Sequence, residues 1–162
     1  MKKIQPWLGL AARLILGGTL IAAGYLKFDE LDKSQMAVRA YELLPIPFAN
    51  FMGIFLPFFE LAVGILLVIG AGVRINGALS ALLMIAFMIA ITQAWARGLS
   101  IDCGCFGGGG QVPEGEANYL TPLLRDTGLA LLGIYLTLFP HTKFGLDKKP
   151  QSATQIGEGT HG

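Results

Sequence analysis

Charge is scarce in this 162-residue chain: Asp, Glu, Lys and Arg together make up 14% of it. A water-soluble domain carries about 25%, so this surface is not built to face water alone. Cysteine is almost absent, with two residues, which excludes a small disulfide-stapled scaffold. The 22 glycines show no three-residue period, which excludes a collagen-like chain. Neither sign of charge dominates. Twelve Lys and Arg stand against 11 Asp and Glu, and a net charge of +1 offers no footprint for nucleic acid. Histidine occurs only as His141 and His161, and no internal repeat is visible. What fills the chain is apolar. Hydrophobic residues make up 53%, too rich in Leu, Ile and Phe for disorder, and the mean hydropathy is +0.58.

The apolar residues fall into runs. A hydrocarbon core about 30 Å thick needs roughly 20 apolar residues as helix. Residues 7–26 meet this with Arg13 as the only charge up to Leu26, residues 51–72 with Glu60 alone, and residues 75–96 with none. A fourth run, 119–139, carries Arg125 and Asp126 near its start. These two are expected at headgroup depth, the alternative being a re-entrant or surface helix. The first run exceeds the roughly 7–15 apolar residues of a signal peptide, so it reads as an uncleaved span. The expectation is an all-α integral membrane protein: a four-transmembrane-helix bundle over residues 1–140, then a polar tail over 141–162 that reads as disordered and cytoplasmic.

Four spans put both termini on one side. Lys and Arg number six there and five on the other side, a slight bias, but Lys2 and Lys3 precede the first helix, which usually dominates orientation. Both termini are therefore expected in the cytoplasm, in a bacterial-type plasma (inner) membrane crossed several times. Val73 and Arg74 leave room only for a tight cytoplasmic hairpin. The first outer connection, 27–50, has Leu31, Met36, Val38, Tyr41 and Leu44 among charges, which predicts a short amphipathic interfacial helix ended by Pro45 and Pro47. The second outer connection holds both cysteines.

That connection carries the strongest chemical signal, Ile101-Asp102-Cys103-Gly104-Cys105-Phe106-Gly107. Two thiols separated by one glycine can close a very small disulfide ring, at the expense of backbone strain that Gly104 tolerates best. A strained, accessible disulfide is of the exchanging kind, and so short a loop restrains the unfolded chain little. Cys103 and Cys105 thus read as a redox couple on the outer face. An inert structural disulfide, a copper(I) or zinc site, and pairing with two different partner proteins stay open as alternatives. Zinc would want further ligands, and both histidines fall on the opposite side, so no metal site is assigned.

Glu60 lies near mid-membrane, where an acid is costly and should face the bundle with a partner or a proton. It reads either as a packing clamp or as a proton carrier. Arg13 is too far along the membrane normal to partner it and is expected to snorkel to the cytoplasmic headgroups. Lys27, Arg39 and Arg97 lie on the cysteine side, as headgroup anchors or as cations that favour a thiolate. Phe48, Phe51, Phe55, Phe58 and Phe59 cluster at the entry of the second helix, as lipid-facing bulk or the lining of a quinone crevice. Gly17, Gly18, Gly77, Ala78, Ser80 and Ala81 suit close helix contacts.

Arg13-Leu14-Ile15-Leu16-Gly17, Ala23-Gly24-Tyr25-Leu26-Lys27-Phe28, Tyr41-Glu42-Leu43-Leu44-Pro45 and Leu56-Pro57-Phe58-Phe59-Glu60-Leu61 with Gly64 resemble DoxX-like membrane proteins. Arg97-Gly98 followed by Asp102-Cys103-Gly104-Cys105-Phe106-Gly107, and then Arg125-Asp126, are similar to the branch named after the methylamine utilisation protein MauE. The resemblance covers about residues 10–139 and implies a four-helix membrane bundle. It also implies a link to disulfide formation or maturation of exported proteins, often beside thioredoxin-like partners. DoxX relatives are linked to quinone-coupled sulfur oxidation. Three functions follow as expectations. The first is a membrane thiol–disulfide component in which Cys103, Cys105 and Glu60 act on a periplasmic or extracellular thiol protein. The second is a quinone-binding subunit of a respiratory or sulfur-oxidising complex, and the third a non-enzymatic assembly factor or anchor. The lipid bilayer is a partner in each, a quinone is the only cofactor admitted, and homo-oligomerisation is left open.

Overall fold

A computed structural model describes residues 4–104, 106, 108–140 and 145–146. Cys105, Gly107 and, apart from Gly145 and Leu146, the tail expected over 141–162 lie outside the described residues. Five helices follow in order: α1 (Gln5–Asp29), α2 (Leu31–Ala40), α3 (Ile46–Ile69), α4 (Val73–Ala96) and α5 (Leu120–Leu138). Of these, α1, α3 and α4 are long and apolar enough to cross a membrane. The protein is a helical membrane protein, and among the described residues one short hairpin departs from helix. Between α4 and α5, β1 (Ile101–Asp102) pairs antiparallel with β2 (Gly110–Gln111), Ile101 opposite Gln111 and Asp102 opposite Gly110. That hairpin was not anticipated, because two residues are too few to show a period.

Several element bounds shift for local reasons. Pro45 and Pro47 were expected to end the helix of the first connection; instead they open α3, with Pro45 as its N-cap. Proline at a helix start loses no hydrogen bond and has its φ already set, so the second span begins at Ile46, not near residue 51. The α3–α4 hairpin turns at Gly70–Gly72, one step before the expected Val73 and Arg74. Gly70 (φ 78°) and Gly72 (φ 58°) take the left-handed conformations the turn needs, and Asn76 Nδ2 donates to the Ala71 carbonyl at 2.8 Å.

The long helices pair through glycines. A Cβ on Gly64 would lie 2.8 Å from the Gly17 carbonyl of α1, and one on Gly24 would lie 2.8 Å from the Pro57 carbonyl of α3. A Cβ on Gly133 of α5 would likewise lie 2.8 Å from the Gly77 carbonyl of α4. Such close backbone approach supplies the dispersion contacts that hold helices together in lipid. Gly18 does not share this role; nothing lies within 4 Å of its would-be Cβ. Leu16, Leu20, Val63, Leu67, Met84 and Leu136 fill the space between the helices. Phe48, Phe51, Phe55 and Phe58 face outward, with Phe55 stacked between Phe51 and Phe59 along one side of α3.

Helix α2 docks on α3 through a vacancy made by proline. Pro57 has no N–H to give the Gly53 carbonyl one turn earlier. The Ser34 hydroxyl of α2 donates to that carbonyl at 2.7 Å, and Gly53 lets the Gln35 backbone come close.

Candidate functional site

The antiparallel register of α1 and α3 brings two opposite charges together. With Gly17 beside Gly64 and Gly24 beside Pro57, Lys27 lies within about one or two turns of Glu60 along the pair, inside a lysine's reach. Its ammonium donates to Glu60 Oε1 at 2.6 Å and to Oε2 at 2.9 Å, with the two side chains 5% and 1% exposed. The same ammonium sits 5.0 Å from the centre of the Phe87 ring on α4, a favourable face for a cation out of water. Glu60 thus faces the interior with a partner, as its position demanded. The partner is Lys27, which is buried and not a headgroup anchor: its long stem points inward from the end of α1.

Arg13 also departs from expectation. It is 2% exposed, and its guanidinium lies against Gly70 at the α3–α4 turn, not snorkelled outward. A cation suits that place because the carbonyl end of α3 carries partial negative charge.

On α5, Arg125 and Asp126 were assigned to headgroup depth, yet Asp126 is 1% exposed. Arg125 donates to its Oδ1 from Nε at 2.9 Å and Nη2 at 2.8 Å. Asp126 Oδ2 is buried and has no hydrogen-bond partner among the described residues. Glu60, Asp126, Arg125 and Phe87 line one cavity together with Phe106. The space among them is small, about the size of one water molecule.

Phe106 joins this buried cluster to the cysteine loop. It follows Cys105 in the chain, and its ring centre lies 4.6 Å from the Arg125 guanidinium carbon. The loop is held at other points as well. Tyr41, at the end of α2, donates its hydroxyl to the Cys103 carbonyl at 3.0 Å. The Tyr41 carbonyl in turn accepts from Gln93 Nε2 at 3.0 Å and from Arg97 Nη1 at 3.4 Å on the last turns of α4. Gly104 (φ 65°) and Gly109 (φ 143°) lie so close to Ala37 of α2 that a side chain at either would collide with it. Cys103 is half-buried among Tyr41, Ile91, Ala94 and Ile101. Arg97 also pairs with Glu42 at 3.0 Å, in the open. Among the described residues no three His, Cys, Asp or Glu side chains gather as a metal-binding group.

The structure therefore brings Phe106, from the cysteine loop, to the cavity that Glu60 and Arg125 line, while Cys103 packs apart from it against Tyr41 and the end of α4. Sequence reasoning missed Lys27, Asp126 and Phe106 as parts of that site. A signal for the first two was present. The buried residues Leu16, Leu20, Ala23 and Lys27 recur at helical spacing, as do Gly53, Pro57, Glu60 and Gly64, and Pro122, Asp126, Leu129 and Gly133. Each charged residue lies on the inward stripe of its helix.

Residues 5–139 match the family model described as methylamine utilisation protein MauE. A methylamine utilization protein MauE from Paracoccus denitrificans is 31% identical over 129 residues, covering 79% of this chain and 69% of that protein. No solved structure matches. With the family model spanning most of the chain, and the quoted Leu-Pro-x-x-Glu and Cys-Gly-Cys-Phe-Gly elements inside the matched region, the protein belongs to the MauE family.

Proposed function

We propose that this protein is a membrane thiol–disulfide component whose Cys103–Cys105 pair exchanges with an exported thiol protein, thioredoxin-like or otherwise. The observation that carries the reading is the junction between the Cys-Gly-Cys-Phe loop and the buried charges: Phe106 packs on Arg125 at the cavity that Glu60 and Asp126 line. A loop that served only to connect α4 to α5 would not need to touch the costliest residues in the membrane domain. In the exchange, a partner thiolate attacks one sulfur of the closed pair and forms a mixed disulfide while the other sulfur leaves as thiolate. The partner's second thiol then displaces it. The partner is oxidised to its disulfide, the pair is reduced to a dithiol, and two electrons and two protons are conserved. The reverse reaction runs when the partner has the higher potential. Glu60 serves by holding Lys27, so that the cavity presents a balanced set of charges.

The proposed arrangement has four spans, because α5, 19 residues long, lies antiparallel along α4, with Gly133 on Gly77 and Thr127 on Met88. Both termini are then cytoplasmic. The cysteine loop and α2, as the interfacial helix, sit on the outer face of the plasma membrane, where disulfides persist. A role in methylamine utilisation, the process for which the relative is named, belongs to the same proposal. The test is trapping. Cys103→Ser or Cys105→Ser should leave a covalent adduct with the partner on a non-reducing gel, and the double variant should yield none. A double variant with full activity in cells would remove the basis of the proposal.

A further inference from the structure

The long helices form two close pairs, α1 on α3 and α4 on α5. The ion pairs of the cavity fall on opposite sides of the seam between them, Lys27 with Glu60 on the first pair and Arg125 with Asp126 on the second. Glu60 and Asp126 both line the small space at that seam. An ionised carboxylate only accepts hydrogen bonds, so the two cannot bond to each other. Lys27 holds Glu60. Asp126 is half provided for: its Oδ1 accepts both bonds from Arg125, while Oδ2, fully buried, has no hydrogen-bond partner among the described residues. The Thr19 hydroxyl, also at the cavity, does not serve it, because it donates to the Ile15 carbonyl at 2.8 Å. A buried carboxylate oxygen left unsatisfied is costly and uncommon.

We propose that this cavity is a binding site for one water molecule, which donates one hydrogen to Asp126 Oδ2 and the other to the Glu60 carboxylate and so joins the two helix pairs across their seam. Size and chemistry select the occupant together. The space is that of one water. What faces it from α3 and α5 is two acceptors, so the occupant has to donate twice, and each Glu60 oxygen keeps a second lone pair beside the one Lys27 uses. The Arg125 guanidinium, in the same wall, supplies N–H to the oxygen of the water. Three partners result, the usual number for a buried water. A metal ion fits less well: Lys27 and Arg125 already balance the two carboxylates, and a further charge would be stranded in the membrane. The rest of the wall, with Leu20, Ala23, Met84 and Phe87, is apolar and confines the molecule to its polar corner. A water-mediated hydrogen bond is nearly as good in enthalpy as a direct one. It counts here because lipid supplies no hydrophobic drive between helices. The site asks nothing of the cysteines, so it stands or falls apart from the thiol–disulfide reading.

The experiment uses the full-length protein in lipid nanodiscs, deuterated and methyl-labelled at Ala, Leu and Met, and reads magnetisation transfer from water to methyl groups by NMR. Wild type should show water cross-peaks at the methyls of Leu20, Ala23 and Met84, which line the cavity, and none at Leu136, which is fully buried in the core away from it. Asp126→Leu removes the acceptor. Ala23→Val keeps every charge and fills the space, and it decides the matter where Asp126→Leu does not fold. Each variant should lose the cross-peaks at Leu20 and Met84. The Lys27 ammonium also exchanges its protons with water and can relay magnetisation, but both variants retain it. Cross-peaks that persist in them at wild-type strength therefore come from that relay and overturn the proposal. Wild-type spectra with no cross-peak at Leu20 or Met84 overturn it as well, since the cavity is then dry. Thiol exchange at Cys103 and Cys105 survives either result.

Discussion

Removing the ammonium of Lys27 is the most direct probe of how the membrane domain is held together. Lys27→Met keeps the length of the stem and leaves Glu60, 1% exposed, with both oxygens unbonded where 2.6 and 2.9 Å contacts had been. Breaking a buried pair by deleting one partner costs about 3–5 kcal/mol. Arg125 adjoins the same cavity and offsets part of the lost charge, so the lower end, about 3 kcal/mol or roughly a hundredfold in the unfolding constant, is expected. Glu60→Met should cost a similar amount by stranding Lys27. The double variant fills the same space with two apolar side chains and should lie within about 1 kcal/mol of wild type, since apolar replacement of a buried pair is often neutral or better. A double-mutant cycle from SDS unfolding in lipid–detergent micelles would thus show a coupling of several kcal/mol, well above the roughly 0.2–1 kcal/mol of an exposed pair. Single variants each costing under about 1 kcal/mol, or a double variant no better than the worse single, would refute the reasoning and show that the pair is hydrated.

Other consequences are simpler. Gly64→Val and Gly133→Val push a side chain into facing backbone and should each cost about 1–3 kcal/mol in the same unfolding assay. Gly18→Ala, with nothing near its Cβ, should be neutral or stabilising by up to about 1 kcal/mol. Tyr41→Phe removes one hydrogen bond to the Cys103 carbonyl, worth about 1 kcal/mol, so Cys103 should be alkylated several-fold faster in the reduced protein; an unchanged rate would show that Tyr41 does not hold the loop. A membrane-impermeant maleimide applied to intact cells after mild reduction should label the cysteines, and labelling only after lysis would reverse the proposed topology.

Membrane embedding could be read from the sequence without ambiguity, because hydropathy over a length of about 20 residues is a local property and needs no knowledge of neighbours. The helix of the first connection was equally legible from its mixed charges and apolar residues, whereas its docking was not. That depends on Pro57, far along the chain, leaving the Gly53 carbonyl for Ser34 to satisfy. The prolines at 45 and 47 could be read as a boundary but not as the start of the next helix, since a proline both ends one helix and begins another.

For the site, composition and spacing singled out Cys103, Cys105 and Glu60 through residue types that are conspicuous where they stand. Lys27, Arg13 and Asp126 looked like ordinary charges near helix ends, for which solvation at the headgroups is the simplest fate. Only the tertiary structure decided otherwise. The Gly17–Gly64 and Gly24–Pro57 contacts set the register of α1 against α3 to within a residue or two, and that register determines whether a lysine's ammonium meets a carboxylate or lipid headgroups. The link from Phe106 to Arg125, 19 positions apart in sequence, likewise depends on where the hairpin folds back over the bundle. A sequence declares which residues are costly to bury because that cost belongs to each side chain alone; which partner offsets it depends on the relative placement of two helices, and that exists only once they have packed.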